Sequence, residues 1–153
     1  SIPMPMLSLG QAETVIGAAL AEAGRRKFSP LGIAVIDAGG NLVAYRRQDG
    51  ASPLRYSVAF AKAWTALNLG MPSRAYQAIA EARPHFAASL NAISEGRVAP
   101  AAGGVLLIED GQIIGAAGVS GDTPDNDECA AQWGADALLT DGAASVHALQ
   151  DGR

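Results

Sequence analysis

The chain has 153 residues, of which 49% are hydrophobic and only 5% aromatic, and this length suits a single domain with its own core. A net charge of −4 and the lack of any long basic cluster exclude an electrostatic surface for nucleic acid or anionic membranes. The single cysteine, Cys129, cannot form an intrachain disulfide, so we expect a cytoplasmic protein.

The first predicted element is an amphipathic helix. Ser8 and Gln11 have the spacing of a capping box, in which each side chain accepts a hydrogen bond from the other residue's backbone N–H. Apolar residues then recur at helical spacing: Ala12, Val15, Ile16, Ala19, Leu20 and Ala23. The basic residues 25–27 suit the negative end of this helix, and we assign them no ligand.

A hairpin and three helices are predicted next. Two apolar stretches, residues 31–37 and 42–47, flank a glycine turn and therefore predict two antiparallel strands. A second helix is expected over residues 53–69, with Ser52 as its N-cap and Gly70 as its end. Two shorter helices are predicted after it, one capped by Ser73 and running to about residue 82, and one that begins at Pro84.

A second hairpin and a last helix complete the pattern. The Asp110-Gly111 pair between residues 104–109 and 112–119 is a strong turn signal, so these two stretches are predicted as antiparallel strands. Thr123 is the predicted cap of a helix that runs to about Leu139. We expect one domain over residues 1–153, with a core over residues 8–140 and a flexible tail over residues 141–153.

The order of the elements predicts an α/β (α+β) fold with one antiparallel sheet covered by helices. Strands joined by tight turns are antiparallel, which argues against a Rossmann-type parallel sheet. The glycines at positions 115, 118 and 121 have a spacing reminiscent of dinucleotide sites, but they fall on the second strand of a hairpin. They serve either close packing or the approach of a ligand.

Three charged residues are candidates for ligand binding. Arg46 and Asp49 flank the end of the second strand, where a guanidinium could hold a carboxylate through two hydrogen bonds. A simple surface pair between them is the alternative. Lys62 lies in an alanine-rich helix, and its ammonium either reaches solvent or faces a pocket.

Two glycine-containing turns are candidate anion sites. Gly103 and Gly104 precede a strand, and backbone N–H groups released there could bind a carboxylate, although a plain turn is the alternative. Ser120 and Gly121 precede the positive end of the last helix and are the better candidates of the two turns.

Two acidic residues and one histidine are candidate proton carriers. Asp127 and Glu128 lie in the first turn of the last helix, where acidic residues are also favoured by the helix dipole. His85 could act as a general acid or base, bind haem, or lie on the surface. We predict no metal site, because the spacing of the acidic residues does not match a known cation loop.

Several segments together resemble the GlcG/HbpS-like family: residues 33–42, 46–51, 61–63, 100–105 and 114–121, followed by Asp127 and Glu128. The resemblance implies a profilin-like fold with a central antiparallel sheet flanked by helices, and homo-oligomers of two or more copies. It also implies a relationship to haem-binding proteins and to the C-terminal domain of PduO-type cobalamin adenosyltransferases. Fold alone does not decide function here.

Three functions therefore remain open. The first is a binding protein for a small molecule or a cofactor, with haem or a corrinoid-related group as the ligand implied by the resemblance. The second is a cofactor-independent lyase or isomerase for a small oxygenated carboxylate, in which Arg46 or Lys62 holds the anion and His85, Asp127 or Glu128 moves a proton. The third is a structural oligomer that assists another enzyme.

Overall fold

A computed structural model describes the backbone of residues 6–150 and the side chains of residues 6–139. Its helices and strands follow one another in the order expected from the sequence. The elements are α1 (Leu9–Arg25), β1 (Gly32–Asp37), β2 (Leu42–Arg47), α2 (Leu54–Leu69), α3 (Ser73–Ala82), α4 (Pro84–Ile93), β3 (Gly104–Glu109), β4 (Gln112–Ser120) and α5 (Pro124–Gln150). No helix within the described residues is both long and apolar enough to cross a membrane.

The four strands form one antiparallel sheet in the order β2-β1-β4-β3. The two hairpins lie side by side because β1 pairs with β4. Gly32, at the start of β1, is opposite both Arg47 and Ser120, so β1 begins at the end of the sheet where β2 and β4 finish. The predicted α/β (α+β) fold, profilin-like with a central antiparallel sheet flanked by helices, is confirmed.

Helices cover both faces of this sheet. On one face, α1 and α5 pack over a large apolar core that includes Val15, Ile16, Ile33, Val35, Leu107, Val119 and Ala131. On the other face, α2 packs through small residues against Ile36 and Ala116. Each strand can therefore place alternate side chains into one of two cores.

The helix ends bear out most of the predicted signals. The Ser8 hydroxyl and the Gln11 side chain each accept the other residue's backbone N–H at 3.0 Å, so the capping box is confirmed. α2 ends at Gly70, which has the left-handed φ of 66° that favours glycine. The Thr123 hydroxyl accepts the N–H of Asn126 at 3.2 Å and caps α5 as predicted.

Two predicted caps are wrong in detail. The cap of α2 is Pro53 rather than Ser52, although the Ser52 hydroxyl still accepts the N–H of Leu54. Ser73 is the first residue inside α3, and its side chain makes no cap. Its hydroxyl instead donates to the carbonyl of Ala101 and accepts the N–H of Gly104, which fixes the loop before β3.

The predicted end of α5 near Leu139 is also wrong, because the helix continues to Gln150. The alanines after Leu139 have high helix propensity and outweigh the small, polar residues among them. The backbone of residues 141–150 is thus helical, and the flexibility expected of residues 141–153 stays a prediction. Residues 151–153 of that expected tail, and residues 1–5, lie outside the described part of the chain.

Candidate functional site

Lys62 forms a buried ion pair at the end of the sheet where β4 finishes. Its ammonium donates to Oδ2 of Asp127 at 3.0 Å and to the carbonyl of Val119 at 3.0 Å, and only 4% of the side chain is exposed. The other carboxylate oxygen of Asp127 accepts the N–H of Asp122 at 2.9 Å. Because α2 and α5 cover opposite faces of the sheet, this pair joins the two layers.

Glycines make room for this pair and for the helix that carries it. A side chain at Gly103 would lie 2.7 Å from Cδ of Lys62, and one at Gly104 would overlap the Lys62 carbonyl. A side chain at Gly118 would overlap the backbone of Ala59 in α2. A side chain at Gly121 would lie 2.9 Å from Cα of Leu31. Close packing, one of the two alternatives for Gly118 and Gly121, is therefore what their contacts display, and Gly103 and Gly104 are packed closely against Lys62 as well.

Ser120 connects the same end of the sheet to the first turn of α2. It is 1% exposed, and its hydroxyl accepts a hydrogen bond of 3.1 Å from Arg55. One guanidinium nitrogen of Arg55 is therefore fixed against the last residue of β4. No carboxylate within the described residues forms an ion pair with Arg55.

The Tyr45 hydroxyl lies near Cβ of this arginine and has no partner among the described residues. It occupies the space that a side chain at Gly32 would fill, next to Cβ of Arg55. The oxygen is buried and has no hydrogen bond to any described residue. Burial raises the pKa of Tyr45 and outweighs the opposing charge of Arg47, so the phenol keeps its proton at neutral pH and can donate.

We call this region the arginine end of the sheet: Tyr45, Arg47, Arg55 and Ser120. Arg47 is exposed and, within the described chain, has no ion pair. The ring of Tyr56 packs edge-on against Tyr45, with centroids 4.9 Å apart. Two guanidinium groups without a carboxylate partner among the described residues and an unpartnered phenol at the same end of the sheet make this region suited to an anion, even though the chain is acidic overall.

The other predicted residues do not come together at this point. Arg46 is exposed and pairs with Ile33, which places it on the α1 face of the sheet, opposite Tyr45. Asp49 is exposed in the following loop. Glu128 pairs with Arg74 of α3 at 3.0 Å, and His85 is exposed in the first turn of α4.

Sequence reasoning missed Tyr45, Arg47 and Arg55. Arg55 does carry a signal, since it lies in the first turn of α2, where a positive charge opposes the helix dipole and no acidic residue offsets it. The neighbouring tyrosine carries no such signal, because its burial depends on the packing of α2 over β2. Across the described residues, no three His, Cys, Asp or Glu side chains are grouped to hold a metal ion.

Comparison with known proteins places the chain in a family. Residues 7–136 match the model of the family described as haem degrading protein HbpS-like. The chain is 34% identical to protein GlcG of Escherichia coli K12 over 116 residues, which cover 75% of this chain and 81% of GlcG.

Solved structures agree with this match. Klebsiella pneumoniae protein ORFY superposes with a TM-score of 0.82 at 27% identity, covering 90% of this chain and 94% of ORFY. The PduOC:haem complex superposes with a TM-score of 0.78 at 26% identity, covering 87% of this chain and 95% of the other. On the strength of the family match and the relationship to GlcG, the chain belongs to the HbpS-like family.

Proposed function

We propose that this protein binds a small molecule, and that the ligand is a small oxygenated carboxylate held at the arginine end of the sheet. The observation that carries the proposal is the buried, unpartnered hydroxyl of Tyr45, which lies near Cβ of Arg55. Buried polar groups nearly always have a hydrogen-bond partner, so a free donor at the same end of the sheet as two guanidinium groups without a carboxylate calls for an acceptor from outside the chain.

The local charges support this ligand class. Ser120 fixes one nitrogen of Arg55, which leaves the other donors of the guanidinium available in a restricted orientation. Arg47 adds a second positive charge, and the first turn of α2 adds the positive end of a helix dipole. A carboxylate would bind the guanidinium groups, while a hydroxyl or carbonyl oxygen on the ligand would accept from Tyr45.

Some of the candidate residues from the sequence support the proposed site indirectly, by fixing the position of Ser120. Lys62 and Asp127 hold Val119, which directly precedes Ser120, and thereby fix the position of the Arg55 partner. Gly103, Gly104 and Gly121 permit that packing. His85 and Glu128 lie elsewhere, and Lys62 and Asp127 bind one another. The proposal is therefore one of binding, without a chemical step.

The family description and the PduOC:haem complex suggest haem as a ligand. The described cavities fit haem less well than the arginine end of the sheet fits a small carboxylate. Two cavities of about 610 and 470 Å³ lie at the β3–β4 turn and between α3 and α5. No histidine, tyrosine or methionine is among the described residues that line them. Cys129 lines the smaller one, where Asp125 and Glu128 already pair with Arg74, so no cation in that described lining is left for the haem propionates.

Calorimetric titration with lactate and pyruvate tests the proposed site. We expect Arg55→Ala to weaken binding about tenfold to hundredfold, since a hydrogen bond to a charged group contributes roughly 1.5–3 kcal/mol. Tyr45→Phe should weaken it less without lowering stability, because no partner of the hydroxyl is left unsatisfied. The matched control is Arg46→Ala, on the opposite face of the sheet.

Two outcomes would contradict the proposal. One is a wild-type protein that binds neither acid. The other is equal weakening by Arg46→Ala and Arg55→Ala, which would indicate a general charge effect rather than a site.

A further inference from the structure

A groove lies at the opposite end of the sheet from the arginines. Its walls are the first turns of α1, the turn between β3 and β4, and α5 near Leu138, and it encloses about 610 Å³. A space of this size accommodates a small organic molecule. None of the residues assigned to the arginine end lines it.

Aliphatic side chains form much of the groove. Ile114 and Leu138 belong to or border the main core, and Ile108 and Leu139 are 43% and 45% exposed at its mouth. Aliphatic surface left in contact with water favours an apolar occupant, by about 25 cal/mol for each Å² that the occupant covers. The groove therefore offers a hydrophobic wall.

The charge of the groove is negative. Glu109 and Asp110 line it, and no lysine or arginine is found among its described lining residues. Glu109 is half-buried, and one of its oxygens accepts a hydrogen bond of 3.1 Å from the neutral side-chain amide of Gln11. The other oxygen has no partner among the described residues. Partial burial without a cation is costly for a carboxylate, and a cation in the groove would relieve that cost.

The polar groups at the start of α1 are partly satisfied within the chain. The backbone N–H groups of Ser8 and Gln11 are already satisfied by the capping box. The hydroxyl of Thr14 donates back to the carbonyl of Gly10. Among the described groups at this wall, the N–H groups of Leu9 and Gly10 have no partner, and the carboxylate of Glu109 keeps a free acceptor.

We propose that this groove binds a small organic cation, namely a primary ammonium group on an apolar body. The ammonium binds Glu109, with Asp110 at the rim, and the hydrocarbon part packs against Ile114 and Leu138. The occupant has the opposite charge to the carboxylate proposed for the arginine end. The two sites are therefore independent, and either proposal can fail without the other.

Titration of the full chain with benzylammonium, followed by methyl NMR, tests this site. We expect saturable shifts at Ile108, Ile114 and Leu138, and binding that weakens with added salt. Benzyl alcohol, which has a similar shape without the charge, should bind at least fivefold more weakly, and benzoate should not bind. Glu109→Gln retains an acceptor for Gln11 and should weaken benzylammonium binding by about fivefold or more.

The control variant is Glu13→Gln, which removes an exposed carboxylate of α1 that does not line the groove. It should bind benzylammonium as the wild type does. Equal binding of benzyl alcohol, or unchanged binding by Glu109→Gln, would overturn the proposal. Methyl NMR shifts of the groove residues that depend on protein concentration rather than on benzylammonium concentration would also overturn it. A second copy of the chain would then be the occupant.

Discussion

Asp127 and Glu128 are neighbours in the first turn of α5, yet their carboxylates lie in different surroundings. Asp127 is 2% exposed and binds Lys62, whose side chain is 4% exposed. Glu128 is 25% exposed and binds Arg74, whose side chain is 51% exposed and also contacts Asp125. Both pairs join α5 to helices from the other side of the sheet, but only the first passes through the interior.

The difference lies in what happens when one partner is lost. An ion left alone in the interior has neither water nor a counter-charge, so breaking a buried pair is far more costly than the pair's net contribution suggests. An ion left alone at the surface is simply hydrated, and salt already screens its pair. Adjacent residues of one acidic motif can therefore differ greatly in their importance for stability.

The largest effect is expected from Lys62→Met, which keeps the length of the side chain but removes its charge. Asp127 would then be buried without a counter-ion, and the free energy of unfolding should fall by roughly 3–5 kcal/mol. Urea denaturation measures this loss. The double variant with Asp127→Asn should recover part of it, because no charge stays buried; a double variant as unstable as the single one would contradict this explanation.

Asp122 provides an intermediate case, because neutral groups stabilise its charge. Its carboxylate accepts hydrogen bonds from the backbone of Ser29 and Thr123 and from the side chain of Asn126. The backbone N–H of Ser29 is the largest cause that lowers the pKa of Asp122 from 3.8 to about 2. The folded chain thus holds this proton less tightly than the unfolded chain does.

The stability from Asp122 should therefore be complete above pH 3.8 and disappear as the pH falls towards about 2. We expect Asp122→Asn to be less stable than the wild type near neutral pH, and the gap between their free energies of unfolding to close on acidification. Denaturant titrations at a series of pH values measure the gap. A gap that stays constant down to about pH 2 would show that the hydrogen bonds do not favour the charged form.

The sequence predicts the parts of this molecule that depend on near neighbours. The capping box of α1, the Asp110-Gly111 turn and the end of α2 at Gly70 each involve groups a few residues apart, and all are confirmed. Antiparallel strands and their order along the chain follow from these turns. The pairing of β1 with β4 does not, because it depends on how the two hairpins pack.

The candidate site was less predictable for the same physical reason. Lys62 and Asp127 were each selected, but their bond spans 65 residues, and nothing in the local pattern of either indicates the other. Arg55 and Ser120 are likewise 65 residues apart. Whether a charge is buried is decided by distant chain segments, so the sequence indicated the chemical groups without indicating which of them are paired.

The smallest effect is expected from Arg74→Ala, which removes the exposed partner of Glu128 and Asp125. Both carboxylates can be hydrated once the guanidinium is gone, so the midpoint of urea unfolding should move only slightly, and less still in high salt. Lys62→Met should instead keep most of its effect in high salt, because water and ions do not reach Asp127. An Arg74→Ala variant as unstable as Lys62→Met would remove the distinction between the two pairs.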